Sequence, residues 1–151
     1  MNGRLLGIDL GERRIGLAIA EVDGLEARPL ITIRRARDIT ADAEGVRRVV
    51  TEQGAVALVV GLPLNANGDT GPMAVAARAW GEAIGAALDL PVAFRDERLS
   101  SHLAEERVGP IGRGRSGGPP SPARREAYRA RVDREAAAII LQDELEARRA
   151  R

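Results

Sequence analysis

The chain has 151 residues, 44% of them hydrophobic, which is the size of one domain with a single core. It contains no cysteine, so a disulfide framework and a thiolate metal site are both excluded. The net charge of +1 favours no class of partner, and no apolar run is long enough for a signal peptide or a membrane span. We therefore expect a soluble, cytoplasmic protein without membrane contact.

The first 35 residues predict three short strands. Residues 4–9 and 15–22 are apolar runs on either side of a tight turn at 11–14, and residues 29–35 form a third run. Because tight turns join antiparallel neighbours, these strands are predicted to form an antiparallel meander.

Helices and strands alternate in the middle of the chain. Thr40 is the predicted N-cap of a helix over residues 41–53, and Gly54 is its predicted end. The continuous apolar run at 56–63 is typical of a fully buried strand.

The second half predicts a further crossover and two more helices. Pro72 begins an amphipathic helix, and residues 91–97 form a strand that should lie parallel to the preceding strand after a right-handed connection. Ser100 or Ser101 should cap a short helix, and Ser121 should open the last one. The predicted order is therefore βββαβαβαα, an α/β domain.

Positive charge is concentrated between Arg107 and Arg134. This segment holds eight arginines and two acids, giving +6, so the remainder of the chain carries −5. Within it, residues 108–121 are rich in Gly, Pro and Arg and are predicted to form a flexible loop inside a single domain spanning residues 1–151. A loop that becomes ordered on nucleic acid and a plain solvated loop both agree with this composition.

Three carboxylates are candidates for chemistry. Asp9 and Glu97 each end a predicted inner strand, where open α/β sheets bind ligands. Asp133 is spaced i, i+4, i+7 with Ala137 and Ile140, which places it on the sheet-facing side of the last helix. Oxygen ligands without thiolates favour Mg²⁺ or Mn²⁺ over zinc.

Two such ions about 3.5–4 Å apart would activate a water and stabilise the leaving oxygen in phosphodiester hydrolysis. Asp9, Glu97 and Asp133 are accordingly the predicted catalytic and metal-binding residues. Each also has a structural alternative. Asp9 would initiate a turn, Glu97 would pair only with Arg95 or Arg98, and Asp133 would be a helix N-cap.

Four segments together resemble one known family. LLGIDLGERRIGLAIA, VVGLPLNANGDTGPMA, FRDERLSS and VDREAAAIIL resemble, in order and spacing, the YqgF-type Holliday junction resolvases. That family is RNase H-like, is related to RuvC resolvases, and has also been assigned as a nuclease maturing the 5′ end of pre-16S rRNA. The resemblance implies an RNase H-like fold whose mixed five-stranded sheet is antiparallel in strands one to three, parallel in strands four and five, and flanked by helices. It also implies metal ligands at Asp9, Glu97 and Asp133.

The resemblance and the charge pattern together suggest residues that contact nucleic acid. They are Arg13 and Arg14 in the first turn, Asn65 in GLPLNANG, Ser100 after the fifth strand, Arg113 and Arg115 in the loop, and Arg134. At Arg134 the family commonly has a small residue, so this arginine departs from the pattern. Solvated arginines and a helix-capping serine are the structural alternatives.

The leading hypothesis is a two-metal-ion endonuclease that uses Mg²⁺ or Mn²⁺ on a four-way DNA junction or on pre-16S rRNA. Symmetric cutting of a junction would favour a two-fold homodimer. Two other classes stay open. A non-catalytic nucleic-acid or ribosome-binding module would use the arginine-rich segment, although clustered acids would repel phosphate. A phosphotransferase of the actin and sugar-kinase type would use GIDLG as a phosphate cradle, although such enzymes close two domains around ATP.

Overall fold

The computed structural model describes residues 3–97 and 99–151. Its elements follow the predicted order. They are β1 (Arg4–Leu10), β2 (Arg14–Glu21), β3 (Arg28–Arg34), α1 (Ile39–Gln53), β4 (Ala55–Leu62), α2 (Pro72–Leu88), β5 (Val92–Asp96), α3 (Ser100–Val108) and α4 (Pro122–Arg149). Within the described ranges, none of the helices combines the length and apolar character needed to cross a membrane.

One five-stranded sheet runs through the molecule in the order β3-β2-β1-β4-β5. β2 is antiparallel to β1 and β3, whereas β4 is parallel to β1 and β5. The predicted mixed sheet is therefore confirmed. Because β1, β4 and β5 run in the same direction, their carboxyl ends meet at one edge, which we call the active edge.

The two faces of the sheet carry different layers. Even-numbered residues of β1, including Leu6 and Ile8, pack in the core cluster that contains residues of α1 and α2. Odd-numbered positions face α4, where Leu5 packs in the cluster with Leu141. Side chains alternate along a strand, so Asp9 lies on the α4 face as well.

Small residues let α4 lie directly on the strands. A Cβ at Gly7 would lie 2.7 Å from Cβ of Leu141, and a Cβ at Gly16 would overlap the main-chain carbonyl of Asp133. These positions have room only for hydrogen, so the close approach of the helix backbone depends on glycine. The consequence is that Asp133 is held close to the active edge.

Two of the predicted helix caps are wrong. The N-cap of α1 is Asp38, whose carboxylate accepts from the Ala41 amide, and not Thr40. Neither Ser100 nor Ser101 caps α3, because its N-cap is Leu99 without a side-chain cap bond. The other two predictions are confirmed. Gly54 ends α1 with φ of 67°, and the Ser121 side chain accepts from the Arg124 amide at the start of α4.

A buried carboxylate joins the α1–α2 layer to the turn after β1. Asp42 is 2% exposed and accepts from the Trp80 indole at 3.0 Å, the Ala36 amide at 2.7 Å and the Arg35 guanidinium at 3.3 Å. Arg35 also donates to the carbonyl of Gly11 at 3.1 Å. A buried charge with this many partners is compensated, and the network fixes the turn beside Asp9.

The segment between α3 and α4 has no helix or strand but is hydrogen-bonded to its surroundings. Tyr128 donates from α4 to the carbonyl of Gly109 at 2.9 Å, and Arg124 donates to the carbonyl of Arg113 at 2.7 Å. A tight turn is closed where the Gly114 amide donates to Gly118. The arginine-rich loop is thus attached to the first turns of α4.

Candidate active site

Asp9 and Glu97 come together at the active edge. Asp9 is the penultimate residue of β1 and lies opposite Gly16 of β2, while the amide of Glu97, just after β5, donates to the carbonyl of Leu62. Both side chains are on the α4 face, and they form a hydrogen bond with each other. The sequence predicts that Asp9, Glu97 and Asp133 converge, and the structure brings the first two of them together.

The two carboxyl groups share a proton. Burial raises the pKa of Asp9 from 3.8 to about 6. Burial, with the neighbouring Asp9 charge second, raises the pKa of Glu97 from 4.5 to about 10. At neutral pH the protonated Glu97 therefore donates to the Asp9 carboxylate, because burial, and then repulsion by the first charge, disfavours a second negative charge here.

One carboxyl oxygen of this pair lacks a partner. Oε2 of Glu97 is buried and accepts no hydrogen bond from the residues that the structure describes. This oxygen lies directly over Gly61, where a Cβ would be 2.5 Å from it and 2.5 Å from Cδ1 of Ile140. Only glycine leaves room for the carboxylate here. A buried oxygen without a donor is costly, and a cation is the partner that suits it.

The third acid has a different partner. Asp133 lies well inside α4 and accepts from Nε of Arg14 at 2.6 Å, and its charge also raises the pKa of Asp9. Nη1 of the same arginine reaches Glu126 at 3.3 Å. Asp133 in turn raises the pKa of Arg14 above its ordinary value. Asp133 is therefore near enough to influence Asp9, but its carboxylate is bound by an arginine.

The donor set fits a hard divalent cation only in part. Across residues 3–97 and 99–151, no group of three acidic, histidine or cysteine side chains is arranged to hold a metal ion. The Asp9–Glu97 pair supplies oxygen ligands and one free buried oxygen, which is the chemistry of a Mg²⁺ or Mn²⁺ site. Asp133, the third member of the predicted set, is paired with Arg14 through Oδ2.

The structural alternatives for the acids find little support. Asp9 lies within β1, and the turn that follows is closed by the Gly11 amide donating to Arg14. Asp133 is not an N-cap, since α4 begins at Pro122. Arg95 is directed to Glu144 at 3.8 Å and not to Glu97, and Arg98 lies outside the described residues.

The residues predicted to contact nucleic acid have different environments. Arg13, Asn65, Arg113 and Arg115 are exposed, whereas Arg14 and Arg134 are half-buried. Asn65 belongs to a turn in which its main-chain amide donates to the carbonyl of Asp69. Ser100 is only 4% exposed. The Ser100 hydroxyl donates to the carbonyl of Glu97 at 2.9 Å, so this serine fixes the main chain of an active-edge acid.

An arginine-lined cleft lies beside the active edge, and the sequence did not predict that these arginines share one cavity. We call it the arginine cleft. It has a volume of about 580 Å³ and is lined chiefly by Glu12, Arg13, Arg14, Arg125, Glu126 and Arg129. A second cavity of about 390 Å³ shares Glu12, Arg13 and Glu126 and adds Arg34 and Arg35. The excess of arginine in residues 107–134 indicates a basic surface in the sequence. Only the packing of α4 shows which of these arginines face the turn between β1 and β2.

Comparisons with known proteins identify the family. Residues 3–147 match the family model described as RuvX: Holliday junction resolvase. A protein of Chloroflexus aggregans named "Putative pre-16S rRNA nuclease" is 42% identical over 145 residues, covering 96% of this chain and 94% of the relative. A protein of the same name from Anaeromyxobacter is 43% identical over 147 residues, covering 97% and 99%.

A solved structure supports the fold. The Thermus thermophilus RuvC in complex with a Holliday junction substrate superposes with a TM-score of 0.56 at 17% identity, covering 98% of this chain and 96% of that one. At this identity the likeness concerns the fold, which is RNase H-like. From the family model and its curated relatives, the chain belongs to the RuvX family of Holliday junction resolvases.

Proposed function

We propose that this protein is a metal-dependent endonuclease that hydrolyses phosphodiester bonds in structured nucleic acid. The observation that carries the proposal is the buried Asp9–Glu97 pair with a free oxygen, next to a cleft lined by arginines. Acids alone would repel a phosphate, so the pair becomes useful for this chemistry when a cation neutralises it.

Asp9 and Glu97 would hold Mg²⁺ or Mn²⁺, with Asp133 as the third ligand. When bound, the ion or pair of ions supplies a Lewis acid for the phosphate and an activated water. Ser100 keeps Glu97 in place through its main-chain carbonyl, and Gly61 leaves the space that the Glu97 carboxylate occupies. These two contacts fix the position of Glu97 before substrate arrives.

The arginines would position the nucleic acid. Arg13 in the first turn, Arg113 and Arg115 in the loop and Arg134 on α4 are candidate phosphate contacts, with Asn65 on the loop after β4. Arginine suits this role because its planar guanidinium makes paired hydrogen bonds to phosphate. These contacts would set the orientation of the substrate and carry little sequence preference.

Two substrates are proposed on the names of the relatives. The family description points to a four-way DNA junction, and the names of the curated relatives point to pre-16S rRNA. A cytoplasmic location is part of this proposal. A junction would favour a two-fold dimer, because its two cuts are related by symmetry.

Cleavage assays test the proposal. Purified protein is incubated with Mg²⁺ or Mn²⁺ and either a synthetic four-way junction or a pre-16S 5′ leader, alongside Asp9→Asn and Glu97→Gln. We expect metal-dependent cleavage of one substrate and a loss of at least about 100-fold in both variants, since a metal ligand contributes several kcal/mol to transition-state stabilisation.

The matched control is Asp23→Asn, an exposed acid in the turn after β2, which should cleave like the wild type. Intact substrates together with tight, metal-independent binding would overturn the nuclease proposal in favour of a binding module. Phosphate transfer from ATP in place of cleavage would favour the phosphotransferase class.

A further inference from the structure

Arg14 stands between the arginine cleft and the acids. It is the first residue of β2, two positions before Gly16, which lies opposite Asp9. The side chain of Arg14 therefore lies on the α4 face, as that of Asp9 does. Its Nε donates to Asp133 at 2.6 Å, and its Nη1 lies 3.3 Å from Glu126. The same guanidinium lines the cleft. One side chain thus touches both the proposed metal ligand and the open cavity.

The cleft has the charge of a phosphate site. Four arginines line it against two glutamates, and Arg13, Arg125 and Arg129 are exposed. Nη1 of Arg125 donates to the carbonyl of Pro120 at 2.6 Å, which fixes one of the guanidinium groups that line the cleft. The four guanidinium groups are donors that suit a tetrahedral anion in this cavity.

The contact between Arg14 and Asp133 engages the third predicted acid with a guanidinium. The side chains at this contact are only 18% and 21% exposed, so removing either partner would leave a poorly solvated charge on the other. With Arg14 bound, the charge of Asp133 is compensated by a guanidinium. A cation at the Asp9–Glu97 pair would then lack its third carboxylate.

We infer that the arginine cleft binds a phosphate group of the nucleic acid, and that this phosphate draws Arg14 away from Asp133 so that the carboxylate can complete the metal site. This inference rests on the proposed function. Arg14 is here a positioning residue, because it acts on the metal site through Asp133. The cleft and the metal site are consequently coupled, and each bound partner raises the affinity for the other by the same factor.

The consequence is ordered assembly of the site. Metal binding is weak in the free protein and tightens when a phosphate occupies the cleft, which restricts the complete site to the nucleic-acid complex. Coupling between two sites in proteins is typically about 5–150-fold in affinity, and we expect a value within this range.

Isothermal titration with Mn²⁺ tests the coupling without measuring activity. Affinities are compared for the wild type, Arg14→Gln and Arg13→Gln at constant ionic strength, in chloride and with inorganic sulfate as the phosphate probe. Arg13 is the matched control, since it lines the same cleft but makes no carboxylate contact in the described structure. Both variants remove one positive charge, so a general electrostatic effect appears equally in both.

We expect sulfate to tighten Mn²⁺ binding to the wild type at least about fivefold. Arg14→Gln should bind Mn²⁺ about tenfold more tightly than Arg13→Gln in chloride and gain nothing further from sulfate. In an Asp133→Asn background, Arg14→Gln and Arg13→Gln should have the same affinity. If Arg14→Gln does not fold, Arg14→Lys is compared with Arg13→Lys, because both keep the charge and only Arg14→Lys loses the Nε contact with Asp133.

Two results would overturn the coupling. Equal affinities of Arg14→Gln and Arg13→Gln would show that Arg14 does not withhold Asp133, and weaker binding by Arg14→Gln would show that it supports the metal ligand. Both leave the nuclease proposal intact, provided that Mn²⁺ binding to the wild type is lost in Asp9→Asn. Failure of the wild type to bind Mn²⁺ under any condition would instead remove the proposed function.

Discussion

At the scale of single residues, the Asp9–Glu97 pair predicts how stability depends on pH. Both acids have pKa values in the fold, about 6 and about 10, that exceed their ordinary values of 3.8 and 4.5. Between the ordinary and the raised pKa of each acid, the folded protein binds more protons than the unfolded chain. This pair's contribution to the free energy of unfolding therefore falls as pH rises. The contribution is fully present below about pH 4 and is lost through pH 6 and on towards pH 10.

This prediction is tested by thermal unfolding in EDTA at pH 5 to 9. Asp9→Asn removes one of the two charges, so its melting temperature should rise relative to that of the wild type as pH increases. Adding Mg²⁺ or Mn²⁺ should stabilise the wild type and leave the variant largely unchanged. A difference between the two proteins that is constant with pH would contradict the raised pKa values.

The sequence predicts the acid pair better than its surroundings. Asp9 and Glu97 follow apolar strands, and the position of a strand end is readable from the pattern. The partner of Asp133 is not readable, because Arg14 and Asp133 are 119 residues apart and meet only through the packing of α4 on β2. Glu126 and the space at Gly61 were missed for the same reason.

At the scale of elements, the contact between α4 and β2 depends on Gly16. Its substitution by alanine places a Cβ against the main-chain carbonyl of Asp133, which cannot rotate away as a side chain could. We expect Gly16→Ala to lower the free energy of unfolding by about 1–3 kcal/mol, because the helix must move off the sheet. The shift should also reduce cleavage, since it displaces Asp133.

The matched control for this prediction is Gly45→Ala in α1. The nearest atom there is Cδ1 of Ile33 at 3.4 Å, so a methyl group is accommodated with little adjustment. Alanine should stabilise this helix by roughly 0.5–1 kcal/mol. Urea unfolding of the two variants should therefore give opposite signs, and a stabilising effect of Gly16→Ala would disprove the close packing of α4.

The order of the elements was predictable, but their first residues were less so. Hydrophobic periodicity distinguishes strands from helices, whereas a cap is chosen among several suitable polar residues near a helix start. Asp38 and Thr40 are both good caps, and the extended backbone of Asp38, with φ of −142°, decides between them. Ser100 is not a cap because it is already the first residue of α3, one position after the N-cap Leu99.

At the scale of the whole molecule, the distribution of charge predicts the salt dependence of binding. If Arg13 and Arg129 each contact a phosphate of duplex DNA, replacing either by alanine should reduce the slope of log affinity against log salt by about 0.9. Arg47→Ala is the control. Arg47 pairs with Glu44 and donates to Ala87 in the α1–α2 layer, so its loss should leave the slope unchanged.

Fluorescence anisotropy with a labelled four-way junction, measured with EDTA present to prevent cleavage, gives these slopes. Equal slopes for all three variants would mean that the arginine cleft lies off the path of the nucleic acid. The sequence indicated a basic segment, yet net charge along the chain does not show which arginines share a surface. That information comes from the tertiary fold, which places the first turns of α4 beside the first turn of the sheet.

Asp9 and Glu97 are proposed to share a divalent cation, and anomalous diffraction from crystals grown with Mn²⁺ would locate that ion. We expect a manganese peak in direct contact with both carboxylates, absent from crystals of Asp9→Asn. Density for two carboxyl groups still hydrogen-bonded to each other, with manganese only elsewhere on the protein, would contradict it.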